Sequence, residues 1–281
     1  MTVQRVGLLH PGEMGSAVAA TLQSAGHAVY WVSQGRSRRS HEHAEELGLI
    51  DAGTIECLCA QCSTIVSVCP PEFADAVANL VLAGSFRGLF IDANAISPGR
   101  VEDMSRRITA SGAGFVDASI IGLATREPGR VWIYLSGERA TEAADLFGHS
   151  GPLQTEAIQG PVGRASALKM CYAGYNKGSA ALLCATLAAA ERLGVRDELS
   201  RQWARSDNDM AGAEKKAGRV AAKAWRFTAE MREIAETFEA AGAIPEFHRA
   251  AEEVYARLAG FKDAQAPALD KILLALNRNA P

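Results

Sequence analysis

Two stretches carry residue types and spacing suited to holding a nucleotide. The first is GLLHPGEMG at positions 7–15, where His10, Gly12 and Gly15 take the three glycine positions of a G-x-G-x-x-G turn. The second glycine of such a turn lets backbone approach a pyrophosphate, and the third lets helix and strand pack closely. Both are present. The first, which eases the tight turn, is His10. Pro11 fixes its own φ and biases His10 towards extended backbone, so a turn without that glycine is feasible. His10, Pro11, Gly12, Glu13 and Met14 are the candidate cofactor-binding residues here. The second stretch is SQGRSRRS at positions 33–40. An NAD site ordinarily has an acid about 20 residues beyond the glycines, where it holds the ribose 2′-hydroxyl. No acid lies between Ser33 and Glu42. Ser33 offers a hydrogen bond to a 2′-phosphate, while Arg36, Arg38 and Arg39 offer charge in a geometry that suits phosphate. The spacing predicts NADP(H), against the plainer reading of a solvated basic loop.

The turn needs a strand before it and a helix after it, and the pattern supplies both. VQRVGLL reads as a strand, and EMGSAVAATLQSAG reads as a helix that Gly26 stops. Further strands follow in HAVYWVS, ending near Val32–Ser33, then in STIVSVCPP, GLFIDANAISP, GFVDASIIG, RVWIYLSG and PLQTEAI. Helices lie between several of them, as in GRVEDMSRRITASG and ERATEAADLFG. Strands alternating with helices imply βαβ units, a mainly parallel sheet and ligands at the strands' carboxyl ends. After Gly160 the pattern becomes helical throughout, led by one long helix over about Ala165–Leu193. The fold class predicted is an α/β Rossmann domain, a doubly wound and mainly parallel sheet, over residues 1–160, followed by an all-α domain over 161–281.

The 281 residues are 48% hydrophobic and 22% charged, with a net charge of −3. Such a chain has no global field to draw in nucleic acid or an anionic membrane, and it has no basic, aromatic-rich segment to grip a nucleic acid. No apolar run reaches the length of a membrane span, and the opening residues lack a signal-peptide pattern. A cytoplasmic protein is expected. Cys57, Cys59 and Cys62 crowd together without a second ligand pair downstream, so they read as small hydrophobes rather than a metal site.

Together these stretches resemble the β-hydroxyacid dehydrogenase superfamily, which includes 6-phosphogluconate and 3-hydroxyisobutyrate dehydrogenases. GLLHPGEMGSAVA is similar to that family's GFIGLGxMGxxMA, SVCPPEFA to its LPxxxxV loop, and DANAISP to its DxSTISP. VDASIIG is similar to VDAPVSGG, and GPVGRASALKMCYAGYNKG to its GxxGxGxxxKxxNN helix. The closest likeness is to a branch bearing HPGEMG, IIG and KMxYAxxxKG signatures, known as 6-phosphogluconate-dehydrogenase-like NAD(P)-binding proteins. The resemblance implies a hydride-transferring enzyme acting on a small molecule, with a helical domain that forms a homodimer. KILLALNRN near the C-terminus has apolar spacing to help bury such an interface. It brings Cys69, Pro70 and Asn94, on loops at strand ends, to the cofactor.

The family's catalytic lysine falls on Lys169, as general acid or base. A lysine suits that role because desolvation lowers an ammonium's pKa. The family's asparagine falls on Ala173. Asn176, on nearly the same helix face as Lys169, is a substitute rather than a match, and Lys177 either supports the site or faces outward. The family's carboxylate-binding serine falls on Ile121, leaving Ser119, two residues earlier on the same strand side, to take the role. An isoleucine in that place implies a less acidic or more apolar substrate. Arg126 and Arg130, on the loop GLATREPGR, could bind a substrate anion or be ordinary surface charge. Tyr172 and Tyr175 read as core or rim packing, and His248 as a partner-satisfied or exposed histidine, with reach to a substrate as its alternative. Two alternatives stand beside the dehydrogenase: an imine reductase of the same fold, against which Lys169 argues, and a non-catalytic NADP(H)-binding sensor.

Overall fold

Short runs of apolar residues set the architecture. Arg5–Leu9 (β1), Thr64–Ser67 (β4) and Leu89–Asp92 (β5) are buried almost end to end, as strands covered on both faces must be. A computed structural model describes residues 3–122, 129–206, 209–262 and 264–278. With Ala28–Trp31 (β2), Ile50–Asp51 (β3), Gly114–Ile121 (β6), Val131–Ser136 (β7) and Leu153–Ile158 (β8), these strands form one sheet in the order β3-β2-β1-β4-β5-β6-β7-β8. Neighbours run parallel except β6 and β7, which run antiparallel with Ser119 opposite Tyr134 and Ile121 opposite Trp132. Alternate residues of one strand face opposite sides. Leu8, Val66, Ile91 and Val116 enter one core, while Leu9, Ile65, Phe90 and Phe115 enter the other.

The helices Glu13–Ser24 (α1), Arg38–Glu46 (α2), Ile55–Gln61 (α3), Ala74–Ala83 (α4), Pro98–Ala110 (α5) and Ala140–Phe147 (α6) connect the strands. Gly26, at φ +87°, ends α1. Two elements depart from the sequence reading. β3 is only two residues long, too short to show a period. α2 begins inside the arginine cluster because the Ser37 hydroxyl caps it, accepting from the Ser40 amide.

The chain forms two units, Met1–Lys169 and Met170–Pro281. The expected boundary at Gly160–Pro161 and this division differ by the start of the long helix Arg164–Arg192 (α7). The second unit continues with Arg196–Trp203 (α8), Met210–Ala221 (α9), Ala224–Ala240 (α10), Glu246–Leu258 (α11) and Leu269–Asn277 (α12). No strand follows Ile158 among the described residues. Tyr255, Met231, Ile234 and Leu258 centre this unit's core. Ile272, Leu273 and Leu276 of α12 are buried within the unit, whereas Leu274 is exposed. No helix among the described residues is long and apolar enough to cross a membrane.

Candidate functional site

The turn between β1 and α1 is built on His10. Its φ is +74°, the left-handed region that favours glycine. The expectation of extended backbone is thus corrected. His10 keeps the conformation of the glycine it replaces, and its carbonyl accepts from the Gly12 amide at 2.8 Å across Pro11. At Gly15 an added Cβ would lie 2.2 Å from that same carbonyl oxygen, so only glycine fits. At Gly12 an added Cβ would meet nothing within 4 Å. Gly12 also brings no capping side chain to α1, whose first amides are left for another acceptor. The His10 Nδ1 and the Ser16 Oγ are buried without a hydrogen bond among the described residues. Burial, aided by the positive charge of Arg36, pushes the His10 imidazole down to about 4, so it is neutral at pH 7. Pro11 is buried, and its carbonyl accepts from His43 Nδ1 at 2.9 Å. Met14 packs against the core, while exposed Glu13 pairs with Arg39 at 3.1 Å.

Beyond β2 the three arginines part company. Arg36 is half-buried and its Nε makes no hydrogen bond among the described residues. Its amide donates to the Ser33 carbonyl at 3.2 Å, closing a turn. Arg38 is the first residue of α2. It pairs with Glu42 one helical turn on, at 2.8 Å, with its side chain 93% exposed. The structure therefore brings Ser33 and Arg36 together, turns Arg38 along α2 and carries Arg39 to Glu13 of the first turn. It also brings in an acid that the sequence reading missed. Asp51, at the end of β3, pairs in register with Trp31 and accepts from the Ser33 amide at 3.2 Å and the Gly53 amide at 2.8 Å. Its slight burial pushes its carboxyl upward, but hydrogen bonds from Ser33 and Gly53 outweigh this and hold it below the usual range.

At the ends of β4 and β5, Asn94 ties the loops together. Its Oδ1 accepts from the Cys69 amide at 2.5 Å, and its Nδ2 donates to Asp92 Oδ1 at 2.6 Å and to Ser67 Oγ at 3.1 Å. Its side chain thus holds the Cys69–Pro70 loop in place. Burial pushes the Cys69 thiol up to about 12 and, with the charge of Asp117 adding to it, the Asp92 carboxyl up to about 8. Asp117, beside Asp92 across β5 and β6, accepts from Ser136 Oγ at 2.9 Å, Gly163 N at 3.0 Å, Ser166 N at 3.1 Å and Ser166 Oγ at 2.7 Å. This carboxyl anchors the first turn of α7 to β6. One turn further, Lys169 is half-buried and its Nζ donates to the Ile120 carbonyl at 2.6 Å. Ser119 is buried, and its Oγ has no hydrogen bond among the described residues.

The remaining candidates lie elsewhere. Asn176 is exposed and its amide donates to the Tyr172 carbonyl at 2.9 Å. Lys177 does not face outward. It forms a mostly buried ion pair with Glu230 and lies 4.8 Å from the Phe227 ring centre. His248 is buried against Phe238 and Phe247. Arg130 is exposed, and Arg126 lies outside the described residues. Cys59 and Cys62 are buried, Cys57 is exposed, and no group of three metal-ligating side chains occurs among the described residues.

Residues 5–149 match the family described as the NAD binding domain of 6-phosphogluconate dehydrogenase. The chain belongs to this family. Residues 190–258 match a second family, a domain of unknown function, DUF1932. An uncharacterised 28.5 kDa protein of Methanothermus fervidus, encoded in a 7S RNA 5′ region, is 29% identical over 196 residues, which cover 69% of this chain and 74% of that protein. Conserved protein MTH1747, of unknown function and described as structurally similar to 3-hydroxyacid dehydrogenases, superposes with a TM-score of 0.67 at 29% identity over 92% of this chain and 97% of its own. The Mycobacterium tuberculosis 3-hydroxyisobutyrate dehydrogenase shares the fold, with a TM-score of 0.72 at 18% identity over 98% of this chain and 100% of its own. The β-hydroxyacid dehydrogenase superfamily is thus the chain's own. The turn fits the dinucleotide this family binds. Gly12 leaves room for a pyrophosphate against the backbone, and His10 Nδ1, Ser16 Oγ and Arg36 Nε are buried polar atoms without a hydrogen bond among the described residues.

Proposed function

We propose that the chain is an NADP(H)-dependent oxidoreductase acting on the carbonyl or alcohol carbon of a small hydroxy acid or related alcohol. The observation that carries the reading is the half-buried Lys169 amine, oriented by the Ile120 carbonyl at the carboxyl end of β6. Ligands of doubly wound sheets bind at that end. The bound dinucleotide supplies or accepts hydride. His10–Met14 and the first amides of α1 hold its pyrophosphate, Ser33 and Arg36 meet its 2′-phosphate, and the Cys69–Pro70 loop, braced by Asn94, borders it. Lys169 Nζ gives a proton to the substrate oxygen during reduction and takes it back during oxidation. The buried Ser119 hydroxyl, without a hydrogen bond among the described residues, holds a polar group of the substrate. Asn176 joins the site only by leaving the Tyr172 carbonyl. The reading includes a homodimer through the helical unit, supported by Tyr172, Tyr175 and Leu182, which stand exposed on α7, and by exposed Leu193 just beyond its end.

Titration with NADPH and NADH by nicotinamide fluorescence, then NADPH oxidation with a panel of aldehydes, ketones and imines, tests this. Turnover of a carbonyl compound that Lys169→Ala reduces at least a hundredfold is expected, since positioned acid–base groups contribute about 10²–10⁴-fold. Binding without turnover would favour the sensor. Imine turnover that survives Lys169→Ala would favour the imine reductase.

A further inference from the structure

The end of β2 holds two charges of opposite sign, and only the positive one enters the reading above. Asp51 reaches this place from β3, whose two residues pair with Tyr30 and Trp31 of β2. Its carboxylate takes the Ser33 amide at 3.2 Å and the Gly53 amide at 2.8 Å. The Gln34 amide donates to the Gly53 carbonyl at 3.3 Å, which fastens the β3 loop to the Ser33–Arg36 turn. The residue proposed to meet a 2′-phosphate therefore already serves a resident anion with its backbone amide. An incoming phosphate meets a negative charge behind Ser33. A ribose 2′-hydroxyl meets no such opposition and can itself donate to a nearby carboxylate. In Rossmann folds an acid at this edge ordinarily serves NAD, and an arginine serves NADP.

We propose that Asp51 is a specificity-determining residue that counters Arg36, so that the chain binds NADH as well as NADPH. The proposal rests on the cofactor reading above and extends it. The acid comes from β3 rather than from the end of β2, which is why the spacing from the glycines does not show it. At low ionic strength, where screening is weak, charges of one and two units several ångströms apart in a water-like dielectric repel enough to change an affinity by about tenfold.

The test is a fluorescence titration of the full chain with NADPH and with NADH, in wild type, Asp51→Asn and Arg36→Gln. Asparagine keeps an acceptor for both amides and removes the charge. Asp51→Asn should raise the ratio of the NADH to the NADPH dissociation constant by about tenfold, mainly by tightening NADPH. Arg36→Gln should lower that ratio. Near 1 M salt, where the screening length is about 3 Å, the difference between Asp51→Asn and wild type should collapse, which a loosened turn would not produce. Asp51→Ser, which also lacks the charge, is the second variant should the first not fold. A ratio within twofold of wild type, with both dinucleotides still bound, overturns the role of Asp51 and leaves the cofactor site standing. A wild type that binds neither dinucleotide overturns both.

Discussion

Gly12 and Gly15 stand three residues apart in one turn, and the structure assigns them opposite consequences on substitution. In Gly15→Ala the new Cβ would sit 2.2 Å from the His10 carbonyl oxygen and 3.2 Å from its carbon. The obstacle is backbone, so the turn or the helix must move by about 1 Å. The same oxygen accepts from the Gly12 amide at 2.8 Å, and the shift strains that bond. Overpacking costs about 1–3 kcal/mol, and a weakened hydrogen bond adds about 1 kcal/mol. A loss of about 2–4 kcal/mol should lower the melting temperature of the first unit by roughly 5–15 °C. Gly12 has φ −82°, open to any residue, and its Cβ would meet nothing. Gly12→Ala should therefore leave stability within about 0.5 kcal/mol, or raise it slightly by restricting the unfolded chain. Its effect should fall on the cofactor. A methyl between backbone and pyrophosphate should weaken NADPH and NADH alike by at least tenfold, or about 1.4 kcal/mol. Thermal unfolding and dinucleotide titration of the two variants give four numbers. A Gly12→Ala protein that binds both dinucleotides as tightly as wild type would refute the placing of the pyrophosphate, and an undisturbed Gly15→Ala would refute the packing argument.

Other outcomes follow from buried charge. The Asp92 carboxyl is raised from its ordinary value to about 8, so the folded state holds a proton that the unfolded state has already lost. Stability is full below about pH 4 and falls as pH rises to about 8. Asp92→Asn should remove that slope, and melting curves from pH 5 to 9 that stay parallel to wild type would contradict it. His10, lowered to about 4, acts in the reverse sense: its contribution is full above about pH 6.5 and is lost as pH falls towards 4. His10→Gly should flatten the stability profile over that range, and it relieves the left-handed φ as well. In the helical unit, Glu230→Ala removes the mostly buried carboxylate that faces both Lys177 and Arg226. A loss of about 3–5 kcal/mol is expected by denaturant titration, with recovery of much of it in the Lys177→Met, Glu230→Leu double variant.

The sheet was legible in the sequence because parallel strands buried on both faces must be apolar throughout, and because glycine marks where α1 ends. Gly15 was legible for a similar reason: a close approach of backbone admits one residue type. The rest depends on contacts that no spacing encodes. Three arginines follow Ser33, and composition ranks them equally. The Ser37 hydroxyl separates them by starting α2, which sends Arg38 along the helix to Glu42 and leaves Arg36 alone in the turn. Lys169 donates to a backbone carbonyl, that of Ile120, which side-chain patterns cannot reveal. Asp117 lies in the VDASIIG stretch, yet its work is to hold the amides of Gly163 and Ser166, 46 and 49 residues away. Asp51 lies 18 residues beyond Ser33 and reaches it only because two residues of β3 pair with β2. Reading for an acid at a fixed distance from the glycines asks which residue the chain delivers next, whereas the ribose edge senses whichever charge the sheet brings beside it. Under the proposal above, an acid on the neighbouring strand weighs against an arginine that the loop after β2 supplies, so that strand pairing, and not loop composition alone, bears on cofactor choice.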